Sequence, residues 1–279
     1  MRNLFSANIR RLLKTAYFRI AAVILAAIGL FEITMVYMDY RTESGTPVFD
    51  SPLSSIAPLT AIAIAAVVSL YVGSEYSDGT IRNKIIGGHS RVAVLLSLLL
   101  TTVVGGWILA AVWSTAYLVP GVFLLESGNP PIMYVKLYLV TFLLLSVFSA
   151  IFTFVSIIIG NKAIAAVVCL LLVVLLMFQG MVVKSMLDEP EFYSPDYIIT
   201  EESGEVQMGD PEPNPNYMPE GSMKRQVCEF LDDFTPGGQS VNLMGKLADR
   251  TAKVCSYNLV WIIVLSGVGL PLFHCKDLK

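Results

Sequence analysis

The sequence predicts an all-α integral membrane protein with six transmembrane helices, an N-terminal interfacial amphipathic helix and a large extracellular loop before the last helix. Of its 279 residues, 55% are hydrophobic and only 15% are charged, whereas soluble domains carry about 25% charge. The mean hydropathy is +0.66. Six apolar runs approach or exceed the roughly 20 residues that a helix needs to cross a bilayer core of about 30 Å. This composition nearly excludes a soluble globular enzyme.

The apolar runs divide the chain into four parts. Residues 1–16 form the interfacial helix, 17–183 contain five spans, 184–254 form the extracellular loop, and 255–279 contain the sixth span and a cytoplasmic C-terminus. Six spans place both termini on one side of the membrane. The predicted spans are Tyr17–Met38, Ser54–Gly73, Val92–Val119, Met133–Ile159, Ala163–Val183 and the shorter Ser256–Phe273.

Lys and Arg are distributed unevenly between the two sides of these spans. Of the 19 basic residues, eleven lie at the termini and the two loops of one side, and two lie near the short loops of the other. The remaining six fall in residues 184–254, a loop too long to weigh heavily. Because positive loops are retained in the cytoplasm, both termini are predicted to be cytoplasmic in a plasma-membrane protein.

The first sixteen residues have apolar side chains at helical spacing, interrupted by basic ones. This pattern is typical of an amphipathic helix on the inner leaflet. A flexible basic flank that only sets topology is the alternative. The apolar set is Phe5, Ile9, Leu12, Leu13 and Ala16, and the basic set is Arg10, Arg11 and Lys14.

Residues 184–254 are rich in proline and acid, with 14 Asp and Glu against 6 Lys and Arg, a net charge of −8. The part before Pro219 lacks a hydrophobic period and is predicted to be irregular. A helical pattern returns from Ser222 to Phe234. The segment Thr235-Pro236-Gly237-Gly238 is interpreted as its stop, and a second short helix is predicted around Val241–Ala252. The loop is therefore predicted to be an extracellular cap.

The loop 74–91, between the second and third spans, is short, polar and predicted to be cytoplasmic. Asp78 can cap a short helix that ends at Gly87-Gly88. An apolar stripe of Ile81, Ile85 and Ile86 runs along that helix. A rigid short helix of this kind suits a groove on a soluble partner.

This loop resembles the second-to-third loop of permease subunits of type-2 ABC exporters, with the pattern E-x-x-x-G-T-I-R-N-K-x-x-x-G-x-S-R. The order of elements agrees as well. The resemblance implies a coupling helix that docks on an ATP-binding subunit. The matching residues assigned to coupling are Glu75, Gly79, Thr80, Ile81, Arg82, Asn83, Lys84 and Arg91. On charge alone, the basic residues of this loop could equally serve topology and bind lipid phosphate.

The resemblance also implies the partners. Two ATP-binding subunits would hold ATP and Mg, and a second permease copy or a close homologue would complete the transporter within the lipid bilayer. Nothing indicates a nucleic-acid partner. This chain is expected to bind no cofactor itself.

No catalytic residue, ATP site or metal site is predicted in the chain. Gly237-Gly238-Gln239 resembles part of an ABC ATPase signature, yet it is predicted to lie outside the cell. No phosphate-binding loop accompanies it, because Gly245-Lys246 is followed by Leu247. His89 and His274 have no ligand set around them. We therefore expect a transport subunit rather than an enzyme.

Two further features are open to two interpretations each. Glu32, within the first span, could contact substrate in a transport path or hydrogen-bond to a neighbouring span. Cys228 and Cys255, both predicted outside, could form a disulfide or remain free thiols.

The acidic loop and apolar spans favour a hydrophobic or amphipathic substrate, such as a cationic peptide. The alternative function is a non-transporting membrane sensor or immunity protein that binds a peptide through its acidic outer loop. The two differ in whether the chain recruits an ATPase.

Overall fold

The computed structural model describes residues 2–42, 53, 55–126, 129–193, 197–199, 206–208, 212–241, 243 and 250–275. These residues are mostly helical, with one short antiparallel hairpin, β1 (Tyr197–Ile199) and β2 (Val206–Met208). The helices are α1 (Arg2–Lys14), α2 (Ala16–Thr42), α3 (Ile56–Ser77), α4 (Thr80–Ile86), α5 (Arg91–Leu124), α6 (Pro131–Ile159), α7 (Lys162–Leu187), α8 (Met223–Phe234), α9 (Pro236–Val241) and α10 (Thr251–Cys275).

Within the described residues, six helices are long and apolar enough to cross a membrane: α2, α3, α5, α6, α7 and α10. They coincide with the six predicted spans, which confirms the helical, multi-pass architecture. Helix α5 has 34 residues against 28 predicted and continues past Pro120. At 1.5 Å per residue it is about 51 Å long, well beyond a bilayer core of about 30 Å.

Helices α3, α5 and α6 form the centre of the bundle, since more than half of each apolar stretch is buried. Large aromatic side chains fill this centre, among them Trp113, Tyr117 and Phe148. Less than a third of the apolar stretch of α2, α7 and α10 is buried, and most of the exposed side chains in these stretches are apolar. Such surfaces suit lipid or a second protein rather than water.

The bundle has two ends, named here the α4 end and the α8 end after the short helices they carry. At the α4 end, Gly160 (φ 70°) ends α6 and Asn161 caps α7 by accepting a hydrogen bond from the Ala163 amide at 2.9 Å. Gly73 of α3 lies against this turn, where an added Cβ would lie 2.6 Å from Lys162 Cα. The close approach therefore requires glycine at position 73.

Helix α1 packs against α5, and its buried residues are Leu4, Asn8 and Leu12. Leu12 fills a gap beside Gly105, where an added Cβ would lie 2.6 Å from Leu12 Cδ2. The predicted helix is present. Leu13 is exposed, because the face that packs on protein runs through positions 4, 8 and 12.

At the α8 end, a cap of short elements covers the bundle. Ser222, where the helical pattern is predicted to return, begins α8 by accepting a hydrogen bond from the Arg225 amide at 3.3 Å. The buried Asp233 carboxylate ties α8 to α10 through Lys253 at 2.8 Å and Arg250 at 3.4 Å. The β1–β2 hairpin lies in the part predicted to be irregular, since strands of three residues are too short to have a detectable period.

The interpretation of Pro236-Gly237-Gly238 as a stop was incomplete. Thr235 ends α8, but it also begins α9, because its hydroxyl accepts a hydrogen bond from the Gly238 amide at 3.1 Å. Pro236 occupies the first position of α9, where proline is favoured. The short helix predicted around Val241–Ala252 lies mostly outside the described residues, and its last two positions belong to α10.

Candidate functional site

The site is built on α4, the seven-residue helix between α3 and α5. Gly79 makes the turn that starts it, with φ 67°, a left-handed conformation that favours glycine. The prediction that Asp78 caps α4 was wrong: Asp78 ends α3, and α4 begins after Gly79 without a side-chain cap. Gly87 and Gly88 end α4 as predicted, Gly88 having φ 90°.

The Glu75 carboxylate is the centre of the site, with no exposed side-chain surface. Lys84 of α4 donates a hydrogen bond from Nζ to Glu75 Oε2 at 2.5 Å. Arg11 of α1 lies 2.7 Å from Oε1, at ion-pair distance but outside hydrogen-bond geometry, so this oxygen accepts no hydrogen bond among the described residues. One buried anion therefore joins three elements: α1, α3 and α4.

Asn8 extends these contacts to α5. Its side-chain oxygen accepts a hydrogen bond from Lys84 Nζ at 2.8 Å, and its amide nitrogen donates to Ser97 Oγ at 2.8 Å. The Tyr71 hydroxyl donates to the Asn8 backbone carbonyl at 3.1 Å. We call Asn8, Arg11, Glu75, Lys84 and Ser97 the buried polar network.

Burial lowers the pKa of the Lys84 amino group from its usual value, and the nearby Glu75 carboxylate opposes that shift. Only 12% of the Lys84 side chain is exposed. A buried cation is tolerated where an anion and further hydrogen bonds satisfy it, as Glu75 and Asn8 do here.

The two faces of α4 have different environments. Ile81 is buried and Lys84 and Ile85 are half-buried against the bundle. Arg82, Asn83 and Ile86 are exposed, Ile86 by 72%, so Ile86 is not part of a buried apolar stripe. Of the other residues assigned to coupling, Gly79 and Thr80 are half-buried at the start of α4, and Arg91 is the half-buried first residue of α5.

Sequence reasoning identified Glu75 and Lys84 but missed Asn8, Arg11 and Ser97, the other members of the buried polar network. Asn8 did give a signal, since it lies between Leu4 and Leu12 at four-residue spacing, on the face that is buried. A polar residue in the middle of a buried stripe indicates a buried hydrogen-bonding partner.

Glu32 lies far from this network and is half-buried. Ser55 donates a hydrogen bond to Glu32 Oε1 at 3.0 Å, and the Trp113 indole nitrogen donates to Oε2 at 3.1 Å. This is the geometry of the second interpretation, a hydrogen bond to a neighbouring span. A role of Glu32 in a transport path stays a prediction.

Cys228 and Cys255 are free thiols in the structure, so the alternative of a disulfide is not realised. Helix α8 contacts α10 through Phe230 and Phe234, whose rings pack edge-on against Tyr257. At 100° per residue, Cys228 lies on nearly the opposite side of α8. Its thiol therefore points away from α10.

These features define a class: a helical, multi-pass membrane protein with a short helix held at one end by a buried ion network. In the described ranges, no three or more His, Cys, Asp or Glu side chains are grouped to hold a metal ion. Comparison with protein families and with curated proteins finds no match to this sequence.

Proposed function

We propose that this chain is the transmembrane permease subunit of an ATP-driven exporter, with α4 as the helix that docks on a separate ATP-binding subunit. One observation supports this most strongly: α4 is bound to the bundle on one face and presents Arg82, Asn83 and Ile86 on the other. A helix with no partner on its polar and apolar outer face suits insertion into a groove of another protein.

The buried polar network would transmit movement of α4 to the spans. Lys84 ties α4 to Glu75 at the end of α3, and Asn8 ties Lys84 to Ser97 of α5. When the ATP-binding subunits close, they would push α4, and α3 and α5 would move with it. The energy comes from contacts that differ between the two states of the ATPase.

In this proposal the α4 end faces the cytoplasm of a cell whose plasma membrane holds the spans, α1 lies at the inner leaflet, and the cap lies outside. The exposed apolar faces of α2, α7 and α10 would contact lipid or a second permease. The apolar spans, together with the net charge of −8 in residues 184–254, support a hydrophobic or amphipathic substrate such as a cationic peptide.

Substitutions on the exposed face of α4 test the docking role. Ile86→Asp and Arg82→Glu are expected to reduce binding of the ATP-binding subunit at least about tenfold, because exposed anchor residues dominate such interfaces. The measurement is co-purification of ATPase activity, and of a photo-crosslinked ATP analogue, with the tagged chain from its native membranes.

Met223→Asp is the control for Ile86→Asp, since Met223 is 82% exposed but lies at the α8 end. It should leave the bound ATPase activity unchanged. If the wild-type chain retains no ATPase, or if all three variants retain it equally, the exporter proposal is wrong. A chain that binds peptide without any ATPase would support the sensor alternative.

Single cysteines test the orientation. In a variant without the native cysteines, Met223→Cys should react with a membrane-impermeant maleimide on intact cells. Ile86→Cys should react only after permeabilisation, because its 72% exposed side chain is accessible but would be cytoplasmic. Mass tagging on gels measures both. Labelling in the reverse pattern would place α4 outside the cell and remove any contact with an ATPase.

A further inference from the structure

Two adjoining cavities lie beside the junction of α1 and α2, and they share Tyr17. The first has a volume of about 280 Å³ and lies at the α4 end. It is lined by Arg11, Lys14, Thr15, Tyr17, Tyr71 and Ser74. Each lining side chain carries a polar group, and the six include two cations and no carboxylate.

The second cavity is an apolar groove of about 380 Å³ between α2 and α3. Its lining runs from Tyr17 to Ile28 on α2 and from Leu59 to Val67 on α3. Tyr17 and Ile28 are eleven positions apart on α2, a helical rise of about 16 Å, which is close to half of a bilayer core of about 30 Å. The groove therefore has the length of one leaflet.

We propose that the two cavities together bind one anionic phospholipid, with its phosphate in the polar cavity and an acyl chain in the groove. A polar cavity at the end of a leaflet-long apolar groove matches the two halves of a phospholipid. This proposal requires only that the spans lie in a bilayer, and it does not depend on the exporter proposal.

The charges select an anionic headgroup. Lys14 is exposed and makes no ion pair with any residue that the structure describes, so its charge is free to bind phosphate. The hydroxyls of Thr15 and Ser74 donate to backbone carbonyls at 2.6 and 2.9 Å. Lys14 and Arg11, whose side chain is 49% exposed, are therefore the charged donors that this lining offers a phosphate.

Arg11 belongs to both this site and the buried polar network. Its Nη2 atom lies 2.7 Å from Glu75 Oε1, and its side chain also lines the polar cavity. A bound phosphate would hold Arg11 in addition to Glu75. The lipid would thereby fix α1 against α3 and α4.

Native mass spectrometry of the purified full chain tests the site with three probes: phosphatidylglycerol, phosphatidylcholine and glycerol 3-phosphate. We expect one phosphatidylglycerol to be retained, with phosphatidylcholine retained weakly and glycerol phosphate not at all. Lys14→Glu should lower the affinity for phosphatidylglycerol about tenfold. Arg10→Glu is the control, because Arg10 is exposed on the same helix but does not line the cavity.

Filling the groove tests the acyl chain separately. Ala63 lines the groove, whereas Ala27 is an exposed alanine of α2 outside it. Ala63→Leu should reduce lipid retention, and Ala27→Leu should not. Equal retention of both lipids, equal effects of Lys14→Glu and Arg10→Glu, or binding of glycerol phosphate alone would each overturn the proposal. If Ala63→Leu fails to fold, the comparison of Lys14→Glu with Arg10→Glu decides.

Discussion

Replacing Glu75 with glutamine is expected to destabilise the chain by about 3 kcal/mol, because removing one partner of a buried ion pair leaves the other uncompensated. Glu75 has no exposed side-chain surface, and Lys84 exposes only 12%. The Arg11 side chain is 49% exposed and can turn to water, so the expected loss of stability is at the low end of the range for broken buried ion pairs. The measurement is the free energy of unfolding in mixed detergent micelles.

Glu229→Gln is the matched control. Glu229 pairs with Arg225 four residues earlier on α8, and 35% of its side chain is exposed. Exposed helical pairs of this kind contribute about 0.5 kcal/mol or less. If both variants lost the same small stability, the Glu75 pair would behave as a surface pair, and the buried network would not hold α4.

A double variant separates charge compensation from simple loss of packing. Lys84→Met removes the cation that Glu75→Gln leaves behind, and replacing both partners of a buried pair costs less than breaking it. The double variant should lose less free energy of unfolding than the two single variants lose together, by at least about 1 kcal/mol. Strict additivity would contradict a direct interaction between the two side chains.

Glu75→Gln should also weaken the proposed docking of the ATP-binding subunit on α4. Lys84 lies on the buried side of α4, so its release would leave α4 attached mainly through Ile81 and the turn at Gly79. A mobile docking helix loses entropy when it binds. The buried polar network is therefore expected to affect two properties: the free energy of unfolding, and the amount of ATPase activity that co-purifies with the chain.

The spans could be predicted from sequence because lipid imposes a simple rule: each crossing must be a long apolar helix that satisfies its own backbone hydrogen bonds. The turn at Gly160 and Asn161 follows from local chemistry in the same way. The end of α5 could not be predicted in this way. Pro120 suggests that the helix ends before it, but α5 continues through Pro120 to Leu124.

The buried polar network could not be predicted as a whole because its members come from distant parts of the chain. Asn8 and Ser97, which share a hydrogen bond, are 89 residues apart. Arg11 is predicted only as part of the basic set of an amphipathic helix on the inner leaflet, since nothing in α1 alone indicates a carboxylate beside it. Only the packing of α1 on α5, with Leu12 beside Gly105, brings these groups to Glu75.

The sequence Thr235-Pro236 before α9 is a local signal that is compatible with either the end or the start of a helix. Thr-Pro can follow the end of one helix, and it can also begin the next, because threonine caps and proline fits the first position. At Thr235 both occur. Tertiary packing decides that a second helix begins here, because Gly237 lies directly on the backbone of α7.

Gly237→Ala is the second substitution with a large expected effect. A Cβ at this position would lie 1.8 Å from the Leu176 carbonyl oxygen and 2.5 Å from its carbon. Both atoms belong to the backbone of α7, so no side-chain rotation can relieve the clash. Gly180 contributes from the other side, since its own added Cβ would lie 2.5 Å from Gly237 O. Helix α9 must therefore separate from α7, at a cost of about 4 kcal/mol.

Gly267→Ala is the control, because an added Cβ at Gly267, within α10, meets nothing within 4 Å. It should be neutral or stabilise the chain by up to about 1 kcal/mol through helix propensity. Hydrogen exchange should locate the loss in Gly237→Ala to α8 and α9, while the amides of α3, α5 and α6 keep their protection. Equal stability of the two variants would mean that α9 does not pack on α7. A selective loss at the α8 end would instead establish that the cap is held to the bundle by backbone contact between two helices, which no larger residue at position 237 permits.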